Sequence, residues 1–554
     1  MPISGNWDGL MSRRRFVGLS GAGAAAVVFG GRPSFLSTAT GTPRFRSYPF
    51  SLGVASGDPQ ADGVVLWTRL APDPLEGGGM PRRAVPVRWE VADDERFRKV
   101  VARGDRLARP ESGHSVHAEV EGLRPGREYF YRFTSGSESS AVGRTKTAPP
   151  AGARHPLSFA FASCQHYEHG FYTAYRHLAE EDLDVVFHLG DYIYEYGPRE
   201  YPSPSGAART YSRPEPVTLA GYRDRYAEHR LDPDLQAAHK AFPWVVTWDD
   251  HEVKDNYAGA ACAGIDPVVF ARRRAAAYQA YYEHMPLRRA SSPRPGGMRL
   301  HRRVDYGDLV SFNVLDTRQY RDPQAAVTST AWQDPRRSLT GAAQERWLLR
   351  NLHRSRATWN VVAQQVFFAR RDGRPGPGGK LMTDAWDGYP GARDRISAAF
   401  ASPAVSNPIV LSGDVHSSWA NDLLADYRRP ESQVVGTEFV GTSITSGGDG
   451  TDQRDETADL LAENPHIKFF NGQRGYIRCT LTPEEWRADY RVVPYVSQPG
   501  APVYTRASFV TLAGNPGLVP VNENPVQGTT SSTMAIESDA ERAEAQREAD
   551  RKRR

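Results

Sequence analysis

The chain has 554 residues and only three cysteines, Cys164, Cys262 and Cys479. That is too few for a disulfide scaffold, so each cysteine is judged by its own surroundings. Long apolar runs are also lacking. Beyond the first forty positions nothing approaches the roughly 20 uninterrupted apolar residues of a membrane span, which argues against a polytopic membrane protein. Charge of one sign is missing too: 69 Lys and Arg stand against 65 Asp and Glu, a net +4. Three of those four charges fall in residues 1–39, where Arg13, Arg14, Arg15 and Arg32 face Asp8. The remainder is close to neutral and leaves no electrostatic footprint for nucleic acid. No internal repeat is present, and the mix excludes collagenous, coiled-coil and wholly disordered chains. What is present is an ordinary globular composition, 39% hydrophobic and 24% charged, in a chain long enough for more than one domain and a large core.

The first 39 residues read as an address. Ser12-Arg13-Arg14-Arg15-Phe16-Val17 matches the twin-arginine export signal, a short Gly- and Ala-rich apolar run follows, and Ser37-Thr38-Ala39 is a small-residue cleavage site. The run is too short and too small-sided for a stable membrane anchor. Twin-arginine export carries folded proteins, which hints at a cofactor loaded before export. The expected location is therefore secreted, periplasmic or cell-wall-associated, with the export machinery as a partner.

Three blocks follow. Residues 48–147 alternate with the strand period at 64–68, 85–91, 116–120 and 129–133, with turn signals between them, and read as a β-sandwich. The string Glu121-Gly122-Leu123-Arg124-Pro125-Gly126 leading to Tyr129 and Tyr131 resembles fibronectin-type and immunoglobulin-like domains. Residues 148–152 are a linker. In residues 155–500, buried-type strands at 157–162, 185–189, 244–248, 309–315, 359–366 and 409–411 are interleaved with helical stretches at 172–181, 270–282 and 344–354. That is an α/β layered domain. Residues 522–554 are a polar tail whose last stretch has no apolar face.

Four strands end in metal-competent groups. The first ends at Cys164-Gln165, the second at Gly190-Asp191-Tyr192-Ile193-Tyr194, the third at Asp249-Asp250-His251-Glu252 and the fourth at Gly413-Asp414-Val415-His416. The carboxyl edge of the strands is where an open α/β sheet binds ligands. Gly190 and Gly413 let the backbone turn and approach closely just before the ligands. Hydrolysing a phosphate ester needs charge neutralisation on its oxygens and a hydroxide at ordinary pH, and two adjacent metals supply both. A carboxylate between two cations can bridge them, and Asp191 is the natural bridge. Phenolate and thiolate together favour trivalent iron, whereas carboxylates and amide oxygens suit a hard cation such as calcium or magnesium.

These strings, with Phe161-Ala162-Ser163-Cys164-Gln165, Asp316-Thr317-Arg318-Gln319-Tyr320-Arg321, Asp384-Ala385-Trp386-Asp387-Gly388-Tyr389, Glu438-Phe439-Val440 and His466-Ile467-Lys468-Phe469-Phe470, resemble the PhoD-type alkaline phosphatases from about residue 48 to 496. More distantly they resemble the purple acid phosphatases and other metallophosphoesterases. The resemblance implies a four-layer αββα core behind a smaller β-sandwich, with one ferric iron (Fe3+) and calcium (Ca2+) as cofactors. Cys164, Asp191, Tyr194 and His416 match the iron side, with Asp191 also touching calcium. Asp250 and Asp414 match the calcium side, and Asn256 is a further ligand or phosphate contact. His251 sits where related enzymes keep a histidine that protonates the leaving alkoxide, and Arg318 is a candidate clamp for phosphate oxygens. The wider superfamily begins with an Asp-x-His strand end. Ser163-Cys164-Gln165 replaces it here, which argues against the common zinc or manganese enzymes. Cys262 and Cys479 have no role in this scheme, and the sequence leaves open whether they pair. The expected activity is a monomeric enzyme that hydrolyses phosphate monoesters and diesters by in-line attack of a metal-bound hydroxide. The alternative is a phosphodiesterase of lipid or cell-wall phosphodiesters with little monoesterase activity.

Overall fold

The structure, a computed structural model, describes residues 43–524 except 375, 377, 378 and 430. The twin-arginine segment lies outside the described residues, as does all of the expected polar tail 522–554 but its first three residues; Asn522 and Glu523 are not tail but close strand Asn515–Glu523, paired with Ser508 and Ala507. Apolar strand runs such as Val185–His188, Pro243–Val246 and Trp359–Ala363 are buried on both faces. That is the pattern of parallel strands covered on both sides.

Two sheets follow from these runs. In the first, ten strands lie in the order Asn515–Glu523, Tyr504–Leu512, Glu485–Val493, Arg474–Leu481, Leu157–Ala162, Val185–His188, Pro243–Val246, Val54–Gln60, Gly63–Arg69 and Ser115–Val120. In the second, seven strands lie in the order Arg302–Tyr306, Val310–Val314, Trp359–Ala363, Pro408–Ser412, Val434–Val440, Ser418–Leu424 and Ile467–Asn471. The centre of each sheet is parallel. The sheets face each other across Phe159, Phe187, Phe312, Ile409 and Phe439. The Phe187 and Phe312 rings are 4.5 Å apart.

Helices cover the outer faces. Thr173–Ala179, Leu219–Arg230, Pro233–Ala241 and Pro267–His284 pack on the first sheet, and Gly341–Arg354 and Pro390–Phe400 on the second. The layers are therefore helix, sheet, sheet, helix. Helix Pro267–His284 starts before the apolar pattern does. Asp266 accepts hydrogen bonds from the Val268 and Val269 N–H groups, and Pro267 occupies the first position, where a missing N–H costs nothing. Among the described residues no helix is long and apolar enough to cross a membrane.

The β-rich segment before residue 148 splits between sheets. Val85–Ala92, Val100–Ala108, Glu128–Ser135, Glu138–Ser139 and Gly143–Lys146 form a sheet of their own. Val54–Gln60, Gly63–Arg69 and Ser115–Val120 oppose it across a core of Val64, Leu66, Val87, Val91, Tyr131 and Phe133. These three strands also belong to the ten-stranded sheet, because Val54–Gln60 pairs in parallel with Pro243–Val246. The sandwich thus shares one of its sheets with the α/β layers. Strands Tyr504–Leu512 and Asn515–Glu523 extend that sheet at its other end.

Candidate metal centre

The parallel strands of both sheets end at one edge, where Ser163 and Ser443 form a bridge between the two strand extensions. The chain turns abruptly there. Cys164, Asp191, Asn256, Asp414 and His416 have φ of 59°, 55°, 53°, 69° and 52°, a left-handed conformation that non-glycine residues seldom adopt. Five of the ten such non-glycine residues described sit in this one place. Strain of this kind persists where the surrounding structure holds it, and it clusters at functional sites. The preceding glycines are required sterically. A Cβ on Gly190 (φ 117°) would lie 2.5 Å from Asp249 Cβ, and one on Gly413 would lie 2.5 Å from Ser163 Oγ.

The turns deliver ligand atoms to common points. Three groups have all their ligand atoms within 4.8 Å of one another: Cys164, Asp191 and His416; Asp191, Asp250 and His251; and Asp191, Asp249, Asp250 and Asp414. Asp191 belongs to all three. Tyr194 joins the first group, with its hydroxyl 3.0 Å from Asp191 Oδ2 and 3.1 Å from His416 Nε2. Asn256 lies against the third, its backbone N–H donating to Asp250 Oδ2 at 2.5 Å.

All these side chains are buried. Asp191 Oδ1, Asp250 Oδ1, Asp414 Oδ2 and Asn256 Oδ1 receive no hydrogen bond. Burial and the surrounding carboxylates hold Asp191 and Asp414 well above the usual carboxylate range. Burial likewise raises Asp249 to about 6, against the pull of Arg318. Burial and Asp191 push the Cys164 thiol up. A cage with several acceptor oxygens left without donors, crowded with acids that repel ionisation, fits cations, whose charge reverses each of these shifts. The chemistry of the donors divides it: thiol, phenol and imidazole on one side of Asp191, carboxylates and an amide oxygen on the other.

His251 stacks on Tyr194 at 4.2 Å between ring centres, and its Nδ1 lies 2.8 Å from Glu195 Oε2. Burial pushes the Glu195 carboxyl up, but His251, Lys254 and Arg273 outweigh it and hold the group below its ordinary range. Glu195 is thus the anionic partner of the imidazole. Sequence reasoning offers Arg318 to phosphate, but the structure surrounds it with protein carboxylates. Its guanidinium has no exposed side-chain surface; it pairs with Asp249, lies 2.6 Å from Asp384, and is 3.5 and 3.8 Å from Asp250 and Asp414.

Several residues of the centre escape the sequence reading. Asp249 and Glu252 stand inside a recognised string, which by itself assigns them no role. Glu252 accepts hydrogen bonds from the N–H groups of Asp191, Tyr192 and Asp249 at 3.1, 2.7 and 2.8 Å, and so ties two strand ends together. Burial lifts its carboxyl to about 8. Asp384 anchors Arg318 and Arg321. Residues 441–448 carry no charged group to announce them. Cys262 and Cys479 are both free thiols, so they do not pair.

The family described as PhoD-like phosphatase matches residues 159–490, and its N-terminal domain matches residues 36–149. The chain belongs to the PhoD-like phosphatase family. It is accordingly a phosphoric ester hydrolase. Alkaline phosphatase D of Bacillus subtilis (strain 168) is 56% identical over 504 residues, which is 90% of this chain and 86% of that protein. The solved structure of PhoD superposes with a TM-score of 0.89 at 55% identity, covering 92% of this chain and 99% of its own. Purple acid phosphatase PPD1 from yellow lupin (Lupinus luteus) seeds shares the fold, with a TM-score of 0.52 at 12% identity over 84% of this chain and 74% of its own. The four-layer core that the resemblance implies is therefore the fold of this PhoD-like enzyme.

Proposed function

We propose that this PhoD-like enzyme is an exported alkaline phosphatase that hydrolyses phosphate monoesters and diesters with one ferric iron and calcium. The observation that carries the reading is the position of Asp191, common to all three groups of ligand atoms. Cys164, Tyr194 and His416 would hold the iron, Asp250, Asp414 and Asn256 would hold the calcium, and Asp191 is the carboxylate available to both. When bound, the ions supply charge neutralisation for phosphate oxygens and a water of lowered pKa.

The chain's own groups do the rest. Glu195 fixes the ring orientation of His251 through Nδ1 and stabilises its protonated form. His251 hands a proton to the departing alkoxide, so the alcohol leaves neutral. Arg318 is a positioning residue: with Asp384 behind it, it spaces Asp249, Asp250 and Asp414, whose mutual repulsion would otherwise open the cage. Export follows the twin-arginine route, which suits a metal centre sealed inside a folded protein. The enzyme is a secreted, periplasmic or cell-wall-associated monomer that takes phosphate esters.

The test uses mature protein from about residue 40, exported in folded form. Hydrolysis of p-nitrophenyl phosphate and bis-p-nitrophenyl phosphate is followed at alkaline pH with calcium, after EGTA, and after calcium is returned. Collapse with EGTA and recovery with calcium are expected on both esters. Turnover of the diester alone would favour the phosphodiesterase alternative. No turnover of either ester by protein that contains iron would overturn the assignment.

A further inference from the structure

Residues 441–448 leave strand Val434–Val440 at the same edge as the ligands, and nothing above gives them a task. They are nevertheless stitched to the iron side. The Ile444 N–H donates to Ser163 O at 3.1 Å, Thr445 Oγ1 to His166 O at 2.8 Å, and the Gly447 N–H to His169 Nδ1 at 2.9 Å. Arg474 adds a bond from Nε to Gly448 O at 2.6 Å and another from Nη1 to the carbonyl of His416. The segment is thereby held rigidly against Cys164, Tyr194 and His416.

Ser446 is the member of this segment that reaches a ligand atom. Its Oγ lies 2.7 Å from the Tyr194 oxygen and 2.8 Å from Cys164 O, and it accepts the His166 N–H at 3.1 Å. A hydroxyl has one hydrogen to give. The carbonyl of Cys164 already faces the N–H groups of Thr445 at 3.4 Å and Ser446 at 3.3 Å. Asp191 Oδ2 and His416 Nε2, also near the Tyr194 oxygen, belong to the ligand set. Of these three neighbours only Ser446 brings a hydroxyl, and it is fully buried, so water does not compete for it.

We propose that Ser446 is a positioning residue that donates its hydroxyl hydrogen to the Tyr194 oxygen and sets how strongly that oxygen binds iron. The proposal rests on the reading of Tyr194 as an iron ligand. A donor hydrogen bond draws electron density from the oxygen and fixes its lone pairs in space. Outer partners of this kind orient metal ligands and tune the metal.

The test is spectroscopic, on mature protein loaded with ferric iron and calcium. A phenolate bound to ferric iron gives a charge-transfer band in the visible. Tyr194→Phe removes that band; if the band survives, the ligand reading itself fails. With the band assigned to Tyr194, Ser446→Ala moves it to longer wavelength, because the oxygen regains electron density, and speeds iron loss to a chelator about tenfold, because its lone pairs are no longer fixed toward the metal. Ser446→Thr, which keeps the hydroxyl, restores both. A Ser446→Ala band at the wild-type position, with wild-type iron retention, overturns the proposal. Where Ser446→Ala does not fold, the unsubstituted protein answers. Exchange into D2O shifts the phenolate C–O stretch in resonance Raman if the oxygen accepts a hydroxyl hydrogen, and an unmoved stretch overturns the proposal.

Discussion

Asp191 stands at the junction of two donor chemistries, and its Oδ1 and Oδ2 have different surroundings. Oδ2 faces the Tyr194 hydroxyl, and Oδ1 is buried without a donor. Asp191→Asn replaces one acceptor with an NH2 that repels a cation. The expected result is loss of metal, measured by elemental analysis, together with a loss of turnover of more than about 100-fold. Retention of both would make Asp191 no bridge. His251 gives a different signature. A proton donor matters most when the leaving alcohol is a poor leaving group. His251→Ala should therefore cut kcat on an alkyl phosphate by about 10²–10⁴-fold and touch p-nitrophenyl phosphate far less. Equal losses on both esters would assign His251 to metal binding instead. The ligand-type residues were visible in the sequence because a strand followed by Asp or His is a local pattern. Ser446 was not, because serine after a strand carries no signal until the fold sets it beside Tyr194.

Short strands matter here for where they stop. Val185–His188 ends three residues before Asp191, and Gly190 between them occupies a φ of 117° with Asp249 pressed against it. Gly190→Ala forces a strained backbone and a clash at 2.5 Å. It should lower stability by about 1–3 kcal/mol in denaturant unfolding and reduce bound metal with it. Wild-type stability and metal content would mean that the turn is not under this constraint. The buried strands were readable from their unbroken apolar runs. Helix Leu219–Arg230 was not, and the reason is physical. Its buried side mixes Tyr222 and Tyr226 with Arg225, Glu228, His229 and Arg230, so charged groups mask the apolar period of the inward face. Those groups are tolerated inside because partners reach them: Arg225 lies 3.6 Å over the Tyr211 ring, and Arg230 donates to His284 O at 2.6 Å. Helix Pro233–Ala241 is short, and its start depends on Asp232 accepting from two N–H groups.

The ten-stranded sheet runs from Asn515–Glu523 to Ser115–Val120 and so joins distant parts of the chain. Val54–Gln60 covers the open edge of Pro243–Val246, the strand that leads to Asp249 and Asp250. Removing residues 1–147 would expose that edge as a template for intermolecular pairing. The remaining chain is expected to aggregate on expression or to lack metal. Soluble, metal-loaded fragment with full turnover would show the sandwich to be independent of the centre. Trp67 and His117 tighten the same connection by reaching carbonyls of Glu283 at 2.9 Å and Met285 at 2.9 Å. Local chemistry was enough to identify the central parallel strands 157–162, 185–188, 243–246, 310–314, 359–363 and 408–412 and the family, because apolar runs, turn residues and strand-end strings are short-range properties of a chain. Sheet sharing, the burial of Arg318 among four carboxylates, the pairing of Glu195 with His251 and the reach of Ser446 to Tyr194 depend on contacts between residues from 56 to 252 positions apart. Such contacts exist only after both sheets have closed on each other, and no spacing along the chain encodes them.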